Sequence, residues 1–200
     1  MRIISGQLRG RKLQTFKGSD VRPTADRVRE ALFSILGHRP VKACVLDLFS
    51  GTGALGIEAL SRGANMAVFV DSHVQALTVL RKNLQRCALQ HCTQVIQWDI
   101  VKNLDCLKIY PNAFDLVLMD PPYSRGLVPL SIKHLLQSQS LAPGAVLVAE
   151  HEAHTPPEID SSMLACTDSR RYGRTGLSFF SYPPVQRTAR PLSPDGQIVE

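Results

Sequence analysis

The sequence has no apolar run of the roughly 18 residues that a helix needs to cross a bilayer. Its first six residues also lack the apolar stretch of a secretory signal. We therefore expect a cytoplasmic protein with no membrane partner. The 200 residues are 44% hydrophobic and 20% charged, which is the size and composition of one globular domain with a continuous core.

Cysteine is scarce, and its spacing excludes the usual metal and redox motifs. The five cysteines are odd in number and scattered, with no Cys-x-x-Cys pair, so we expect reduced thiols. The segment from His151 to His154 (His-Glu-Ala-His) is one residue too short for a zinc-protease motif, whose two histidines must share a helix face. We expect no metal ion.

Acidic residues are scarce at the amino-terminal end. Residues 1–42 contain ten Lys or Arg and three Asp or Glu, a net charge of +7, whereas the remaining 158 residues sum to −1. A basic segment on a nearly neutral body is typical of a protein that binds a polyanion, because each phosphate contact releases a condensed counterion. A solvated charged surface is the alternative explanation.

The amino-terminal segment is predicted to contain an arm and one helix. Glycines break residues 1–22 into short apolar pairs, which favours an arm or a small hairpin. The next apolar residues recur at helical spacing, with Thr24 as the predicted cap and Gly37 as the stop. The outer face of this helix is predicted to carry Arg27, Arg29 and Glu30.

From residue 43 onward, short apolar runs alternate with longer amphipathic ones, which predicts a parallel sheet covered by helices. The predicted strands are Cys44–Phe49, Met66–Val70, Thr93–Trp98, Phe114–Met119 and Ala145–Glu150, followed by an antiparallel pair, Met163–Asp168 and Leu177–Tyr182. The predicted helices are Ala54–Arg62, His73–Leu89, Asn103–Leu107 and Leu130–Gln137. We assign residues 43–184 to this domain and expect residues 185–200 to be a disordered tail.

A glycine turn follows the first strand. Residues 45–56 run from an apolar strand through Asp47 into Gly51-Thr52-Gly53 and then a helix, where glycine lets the backbone approach a ligand and the helix offers its amide end. We expect a nucleotide-like ligand there. Gly51, Gly53 and Gly56 also match the dinucleotide fingerprint, with Asp71 at the end of the next strand, so this motif alone does not distinguish the cofactors.

Two later positions favour a different cofactor from a dinucleotide. Asp99, at the end of the third strand, is placed to accept a hydrogen bond from an adenine amine beside an apolar contact. Residues 120–123 (Asp-Pro-Pro-Tyr) form a turn at the end of the fourth strand, which faces the same crevice as the glycine turn.

The turn at residues 120–123 suits the methylation of an amine on a nucleic-acid base. Such an amine is a weak nucleophile because its lone pair is delocalised into the ring. The Asp120 carboxylate and the Pro121 carbonyl could accept its two hydrogens and direct the lone pair towards a methyl sulfonium. Pro121 and Pro122 stiffen the turn, and Tyr123 offers a face on which an unstacked base can stack.

Together, residues 47–53 (Asp-Leu-Phe-Ser-Gly-Thr-Gly) and 120–123 resemble the class I amino-methyltransferases that act on nucleic acid. Residues 2–13 and 22–33 (Arg-Pro-Thr-Ala-Asp-Arg-Val-Arg-Glu-Ala-Leu-Phe) are similar to one branch, the bacterial enzymes that methylate the 2-amino group of a guanine in 16S ribosomal RNA of the small subunit. The resemblance extends to about residue 182. It implies an α/β, Rossmann-like fold with a mostly parallel seven-stranded sheet, helices on both faces and an antiparallel C-terminal strand.

The resemblance also implies the cofactor, S-adenosylmethionine, and the residues of its site. Asp47, Phe49, Gly51 and Gly53 would lie at the methionine end, Asp71 at the ribose, and Asp99 with Ile100 at the adenine, while residues 120–123 would take the guanine amine. Asp71-Ser72-His73 departs from the usual Glu-x-Asp of the family, and the shorter side chain predicts a looser ribose contact.

The implied partner is 16S ribosomal RNA, either free or in a partly assembled small subunit, bound by a monomer. Phosphate contacts position RNA without reading its sequence. The residues predicted to contact RNA are Arg9, Arg11, Lys12, Arg22, Thr24, Arg27 and Arg125.

Three other functions fit part of the pattern. A DNA amino-methyltransferase for adenine or cytosine shares the Asp-Pro-Pro-Tyr turn, but such enzymes usually carry an added target-recognition region. A dinucleotide-dependent oxidoreductase would use the same crevice. A non-catalytic RNA-binding module would keep the fold without the reaction.

Overall fold

Seven strands form a single mixed sheet in the computed structural model, which describes residues 1–15, 23–123, 126–160 and 162–183. The strands are β1 (Cys44–Leu48), β2 (Met66–Asp71), β3 (Thr93–Gln97), β4 (Phe114–Met119), β5 (Leu141–Glu152), β6 (Ala165–Tyr172) and β7 (Thr175–Tyr182). The helices are α1 (Pro23–Leu36), α2 (Ala54–Ser61), α3 (Val74–Cys87) and α4 (Leu127–Ser138). The predicted α/β fold class is confirmed.

The strand order is β3-β2-β1-β4-β5-β7-β6. The first five strands in this order pair in parallel, and β7 pairs antiparallel to both β5 and β6. The chain leaves β1 towards β2 on one side and later returns to β4 on the other side. The carboxyl ends of β1 and β4 therefore flank the switch point, where open α/β sheets bind their ligands.

Each face of the sheet is covered by helices, as predicted. Val45 of β1 packs in a core cluster with apolar residues of α1, α2 and α3. The neighbouring Leu46 and Leu48 face the opposite side, where they pack with Val128, Ile132 and other residues of α4. Because alternate residues of a strand point to opposite faces, burial on both sides requires the nearly continuous apolar sequence of β1.

Residues 1–13 fold into what we call the N-terminal hairpin. Its two ends are joined by backbone hydrogen bonds from Ile3 to the carbonyl of Arg11 (3.0 Å) and from Leu13 to the carbonyl of Met1 (3.1 Å). The side chains of Ile3 and Leu13 are buried in the core cluster that includes α1. The hairpin is therefore packed on the body of the domain.

Several predicted boundaries were wrong by a few residues. Helix α4 begins at Leu127, three residues early, because Pro129 falls in the first turn, where a helix needs no backbone N–H donor. Strand β5 begins at Leu141, and the break in its register with β4 accommodates Pro143. The predicted helix at residues 103–107 is only a short 3-10 turn, Asp105–Leu107.

The boundaries of two further elements also differ from the predictions. Helix α1 begins at Pro23, so Thr24 lies inside the helix and is not its cap. Strand β6 extends to Tyr172 and turns back into β7 after two residues, Gly173 and Arg174. The predicted tail, residues 185–200, lies outside the described residues. None of the described helices combines the length and the apolar character that crossing a membrane requires.

Candidate active site

The glycine turn between β1 and α2 is tight, and its second glycine is closely packed. Gly51 and Gly53 have φ angles of 53° and 85°, in the left-handed region that favours glycine. The backbone amide of Gly53 donates to the carbonyl of Ser50 at 2.7 Å. A Cβ on Gly53 would lie 2.2 Å from Cδ1 of Leu80, so a side chain there would displace Leu80 as well as strain the backbone.

Asp47 lies near the end of β1, beneath this turn, and is 1% exposed. Its Oδ2 accepts a hydrogen bond of 2.8 Å from the backbone amide of Gly56 in the first turn of α2. Burial raises the pKa of the Asp47 carboxyl to about 7; the Gly56 amide opposes this shift and nearby Asp71 adds to it. A buried carboxylate at the amino end of a helix is suited to receive a cationic group of a ligand.

Asp71, the last residue of β2, holds the glycine turn in place. Its Oδ2 accepts from the backbone amide of Gly51 and its Oδ1 from that of His73, both at 2.8 Å. His73 in turn caps α3, because its Nδ1 accepts from the amide of Ala76 at 3.3 Å. The side chain predicted to contact ribose is thus fixed by two backbone donors.

A cleft of about 870 Å³ lies at the carboxyl ends of β1, β2 and β4. Its walls bring together two parts of the predicted site. The predicted residues among those that line it are Phe49, Gly51, Asp71, Asp120, Pro121, Pro122 and Tyr123. The glycine turn and the Asp-Pro-Pro-Tyr turn therefore open onto the same cavity.

The other predicted cofactor residues do not line this cleft. Gly53 is buried, and Asp47 lies beneath the turn. The side chain of Ile100 is 2% exposed and packs in the core cluster that includes α4. Asp99 is half-buried; its Oδ2 lies 3.7 Å from Nζ of Lys102, and its Oδ1 accepts from the backbone amide of Val101.

Val101 lines the cleft and was missed from the sequence. It is half exposed and follows buried Ile100 directly in the chain. An apolar residue directly after the predicted Asp99–Ile100 pair is the signal that could have identified it.

Asp120 follows the buried end of β4 and is exposed to the cleft. The surrounding protein removes much of its water, and this desolvation raises its pKa well above the ordinary value of 3.8. The neighbouring carboxyls of Glu150 and Asp47 raise the pKa further. Asp120 is thus an acceptor whose affinity for a proton is enhanced.

Tyr123 is held at the rim by two contacts. Its hydroxyl donates to Oε1 of Glu150 at 2.9 Å and lies 2.9 Å from Oγ1 of Thr175. Desolvation is the main reason that the pKa of Tyr123 is raised, to about 12. Glu150 was missed from the sequence, because its proximity to Asp120 follows from the pairing of β4 with β5.

The residues predicted to contact RNA fall into two groups. Arg9 and Arg27 are exposed and line a groove of about 430 Å³ between the N-terminal hairpin and α1. Arg11 and Lys12 are exposed on the hairpin, where Nη1 of Arg11 donates to the carbonyl of Arg86 at 2.8 Å. The remaining predictions, Arg22, Arg125 and the side chain of Thr24, lie outside the described residues.

Arg29 is not on the outer face of α1, contrary to prediction. It is 5% exposed, and its Nη2 donates to the carbonyl of Arg2 at 2.6 Å and to Oδ1 of Asp26 at 3.0 Å. Its Nε lies 3.9 Å from Oε2 of Glu58, which is fully buried in α2. Arg29 therefore connects the N-terminal hairpin to two helices.

Within the described residues, no group of three or more His, Cys, Asp or Glu side chains is arranged to hold a metal ion. The cysteines there, Cys44, Cys87, Cys92, Cys106 and Cys166, are all free thiols.

The sheet order and a glycine turn at its switch point define a Rossmann-like fold of the class I methyltransferase type. The Escherichia coli protein yhhF, described as a candidate methyltransferase, has this fold: its solved structure matches with a TM-score of 0.79 and 33% identity, over 91% of this chain and 97% of that chain.

The chain belongs to the family described as Conserved hypothetical protein 95, whose model matches residues 1–181. Two curated relatives carry the name Ribosomal RNA small subunit methyltransferase D. The one from Haemophilus influenzae is 38% identical over 78% of this chain and 81% of its own length. The one from Escherichia coli K12 is 40% identical over 76% of this chain and 75% of its own length. The resemblance inferred from the sequence is confirmed at the level of the family.

Proposed function

We propose that this protein transfers a methyl group from S-adenosylmethionine to the exocyclic 2-amino group of a guanine in 16S ribosomal RNA. The observation that carries the proposal is the shared cleft, in which Gly51 and Asp71 face Asp120 and Tyr123. The relatives named as small-subunit ribosomal RNA methyltransferases support the class of substrate.

The cofactor fits the residues present. The cleft offers the backbone of Gly51, whose Cβ position meets nothing closer than the Phe49 carbonyl at 4.0 Å, and the carboxylate of Asp71. We assign the methionine end to the turn above Asp47, the ribose to Asp71 and the adenine to the region of Asp99 and Val101. When bound, S-adenosylmethionine supplies an electrophilic methyl group on a positively charged sulfur.

Asp120 and the Pro121 carbonyl are proposed to accept the two hydrogens of the guanine amine. This arrangement favours a pyramidal nitrogen whose lone pair faces the cofactor. The new nitrogen–carbon bond forms as the carbon–sulfur bond breaks, and the nitrogen then loses a proton. Because the pKa of Asp120 is raised, its carboxylate is well suited to receive that proton.

The substrate is proposed to bind mainly through residues 1–42, together with Arg125. Arg9, Arg11, Lys12 and Arg27 are exposed on the hairpin and α1, and Arg22, Thr24 and Arg125 complete the proposed set. These residues, six cations and one hydroxyl, would contact phosphates and orient the RNA, while the target base leaves its stack and rests against Tyr123.

The test is to incubate the protein with labelled S-adenosylmethionine and either 16S ribosomal RNA, partly assembled small subunits or duplex DNA. We expect the label in 2-methylguanosine from one position of the RNA. Label in adenine or cytosine, or in DNA, would refute the assignment. The variant Asp120→Asn tests the role of the carboxylate. It should bind the cofactor with unchanged affinity but transfer the methyl group at least a hundredfold more slowly.

A further inference from the structure

A second cleft, of about 410 Å³, adjoins the Asp-Pro-Pro-Tyr turn. Pro121, Pro122, Tyr123 and Leu127 line both this cleft and the larger one, so the turn forms a wall between them. A cleft on one side of the turn can therefore hold a base, while the other holds the methyl donor. A base stacked at Tyr123 would have access to both.

The charged groups of this second cleft are unlike those of a phosphate site. Its described lining includes Glu150, Glu152 and Glu158 and contains no Lys or Arg. The remaining titratable residue besides Tyr123, His151, is buried and bonded through Nε2 to Oγ of Ser178 at 2.9 Å. Carboxylates without cations are suited to a ligand edge made of hydrogen-bond donors.

Glu150 lies beside Asp120 at the carboxyl ends of two paired strands. Strands β4 and β5 pair in parallel with Met119 opposite Ala149, so Asp120 and Glu150 follow side by side at the same edge of the sheet. The Tyr123 hydroxyl, 2.9 Å from Oε1 of Glu150, fixes that side chain. Asp120 lines the larger cleft and Glu150 the second one, so a base placed at the turn between the two clefts would meet both carboxyls.

Guanine is the base whose edge matches two adjacent acceptors. It presents the N1–H donor next to its 2-amino group, whereas adenine and cytosine present a ring-nitrogen acceptor next to their amines. A carboxylate beside such an acceptor would be repelled and left without a partner.

We infer that Glu150 accepts the N1–H of the target guanine and thereby selects guanine, while Asp120 takes the 2-amino group. This inference rests on the proposed function and names the residue that reads the base. Burial raises the pKa of Glu150, and the Glu150 carboxyl adds to the raised pKa of Asp120. Two adjacent ionised carboxylates are therefore unfavourable in the free protein. A base edge with two hydrogen-bond donors would stabilise them.

The test compares guanine with 2-aminopurine at the methylated position, introduced into the ribosomal RNA by ligation. The analogue keeps the 2-amino group but has an acceptor at N1. We expect wild-type protein to favour guanine by at least a hundredfold in kcat/KM. Glu150→Gln, whose amide can accept or donate a hydrogen bond, should reduce the ratio of kcat/KM for guanine to that for 2-aminopurine at least tenfold. Glu152→Gln, in the same cleft, is the matched control and should keep the wild-type ratio.

Equal rates of wild-type protein on the two bases would overturn the inference without reference to any variant. A folded Glu150→Gln protein that keeps the wild-type ratio would overturn it as well, with folding checked by the midpoint of thermal unfolding. Failure of the proposed function looks different, because wild-type protein would then methylate neither base.

Discussion

The backbone amide of Ile4 donates a hydrogen bond of 2.8 Å to Oε2 of Glu58, a residue 54 positions later in the chain. The other carboxylate oxygen, Oε1, accepts from the amide of Ser5 at 3.0 Å and from Nε of Arg62 at 2.8 Å. Glu58 is fully buried, so these donors replace all of its water. One acid of α2 therefore holds the N-terminal hairpin on the domain.

Glu58→Ala should lower the free energy of unfolding by about 3–5 kcal/mol, because it leaves two backbone amides and Nε of Arg62 without their acceptor and removes the anion beside buried Arg29. Urea denaturation measures the difference. Asp105→Ala is the control: it breaks an exposed ion pair with Lys108 and should cost less than about 1 kcal/mol. Equal losses in the two variants would show that the buried network contributes no more than a surface pair.

Two hairpin glycines allow a matched comparison, since Gly6 and Gly10 both have a φ of 82°. A Cβ on Gly6 would lie 1.8 Å from the carbonyl oxygen of Ser61, whereas a Cβ on Gly10 meets nothing within 4 Å. Gly10→Ala should cost about 1–2 kcal/mol from backbone conformation alone, and Gly6→Ala should cost at least about 2 kcal/mol more. Thermal unfolding of both variants decides this, and similar losses would contradict the close packing.

Asp47→Asn should stabilise the protein at pH 8, because the amide keeps an acceptor for Gly56 without burying a charge. The pKa of Asp47 is about 7 in the folded chain against an ordinary 3.8, so its contribution to stability is complete below about pH 4 and is lost as the pH rises through 7. The expected gain at pH 8 is up to about 4 kcal/mol, falling to about 1 kcal/mol at pH 4.5.

Denaturant titrations at the two pH values test the Asp47→Asn prediction, and a gain independent of pH would refute it. The same variant should bind S-adenosylmethionine at least tenfold more weakly at pH 8 by calorimetry. A carboxylate attracts the cationic methionine end, and an amide does not.

Replacing Arg9, Arg11 and Lys12 together with Ala should weaken RNA binding. The slope of log K against log salt concentration should become less steep by about 2–3. The affinity for the cofactor should not change. Binding titrations at several salt concentrations give the slope. The control variant loses the same charge at three exposed cations away from the hairpin, with Ala replacing Lys102, Lys108 and Arg170. An equal change of the salt slope in both triple variants would show that the hairpin is not part of the RNA-binding site.

The layered fold was predictable because its signals are local. Three of these signals, the apolar runs of β1 and β4 and the glycine turn after Asp47, each lie within a dozen residues. Their order along the chain is typical of an open α/β sheet, which predicts a switch point at the carboxyl ends of its strands. The joint position of Asp120 and Gly51 at one cleft follows in turn, since parallel strands end at the same edge.

The missed features depend on contacts between distant segments. A charged residue in a helix is expected in water, and the burial of Arg29 and Glu58 becomes evident only when the hairpin supplies their partners. The role of Glu150 depends on the register of β4 against β5, which the sequence does not specify. The position of Ile100 in the core, with Val101 at the cleft, depends similarly on packing against α4.

The contacts of Ile4 and Ser5 with Glu58 make the first residues part of the folded core. A shortened chain that starts after the hairpin would remove the backbone donors of Glu58 and expose apolar side chains of α1 to water. Such a truncation would report on misfolding and aggregation, so the hairpin's share of RNA affinity has to be measured by side-chain changes in an intact chain.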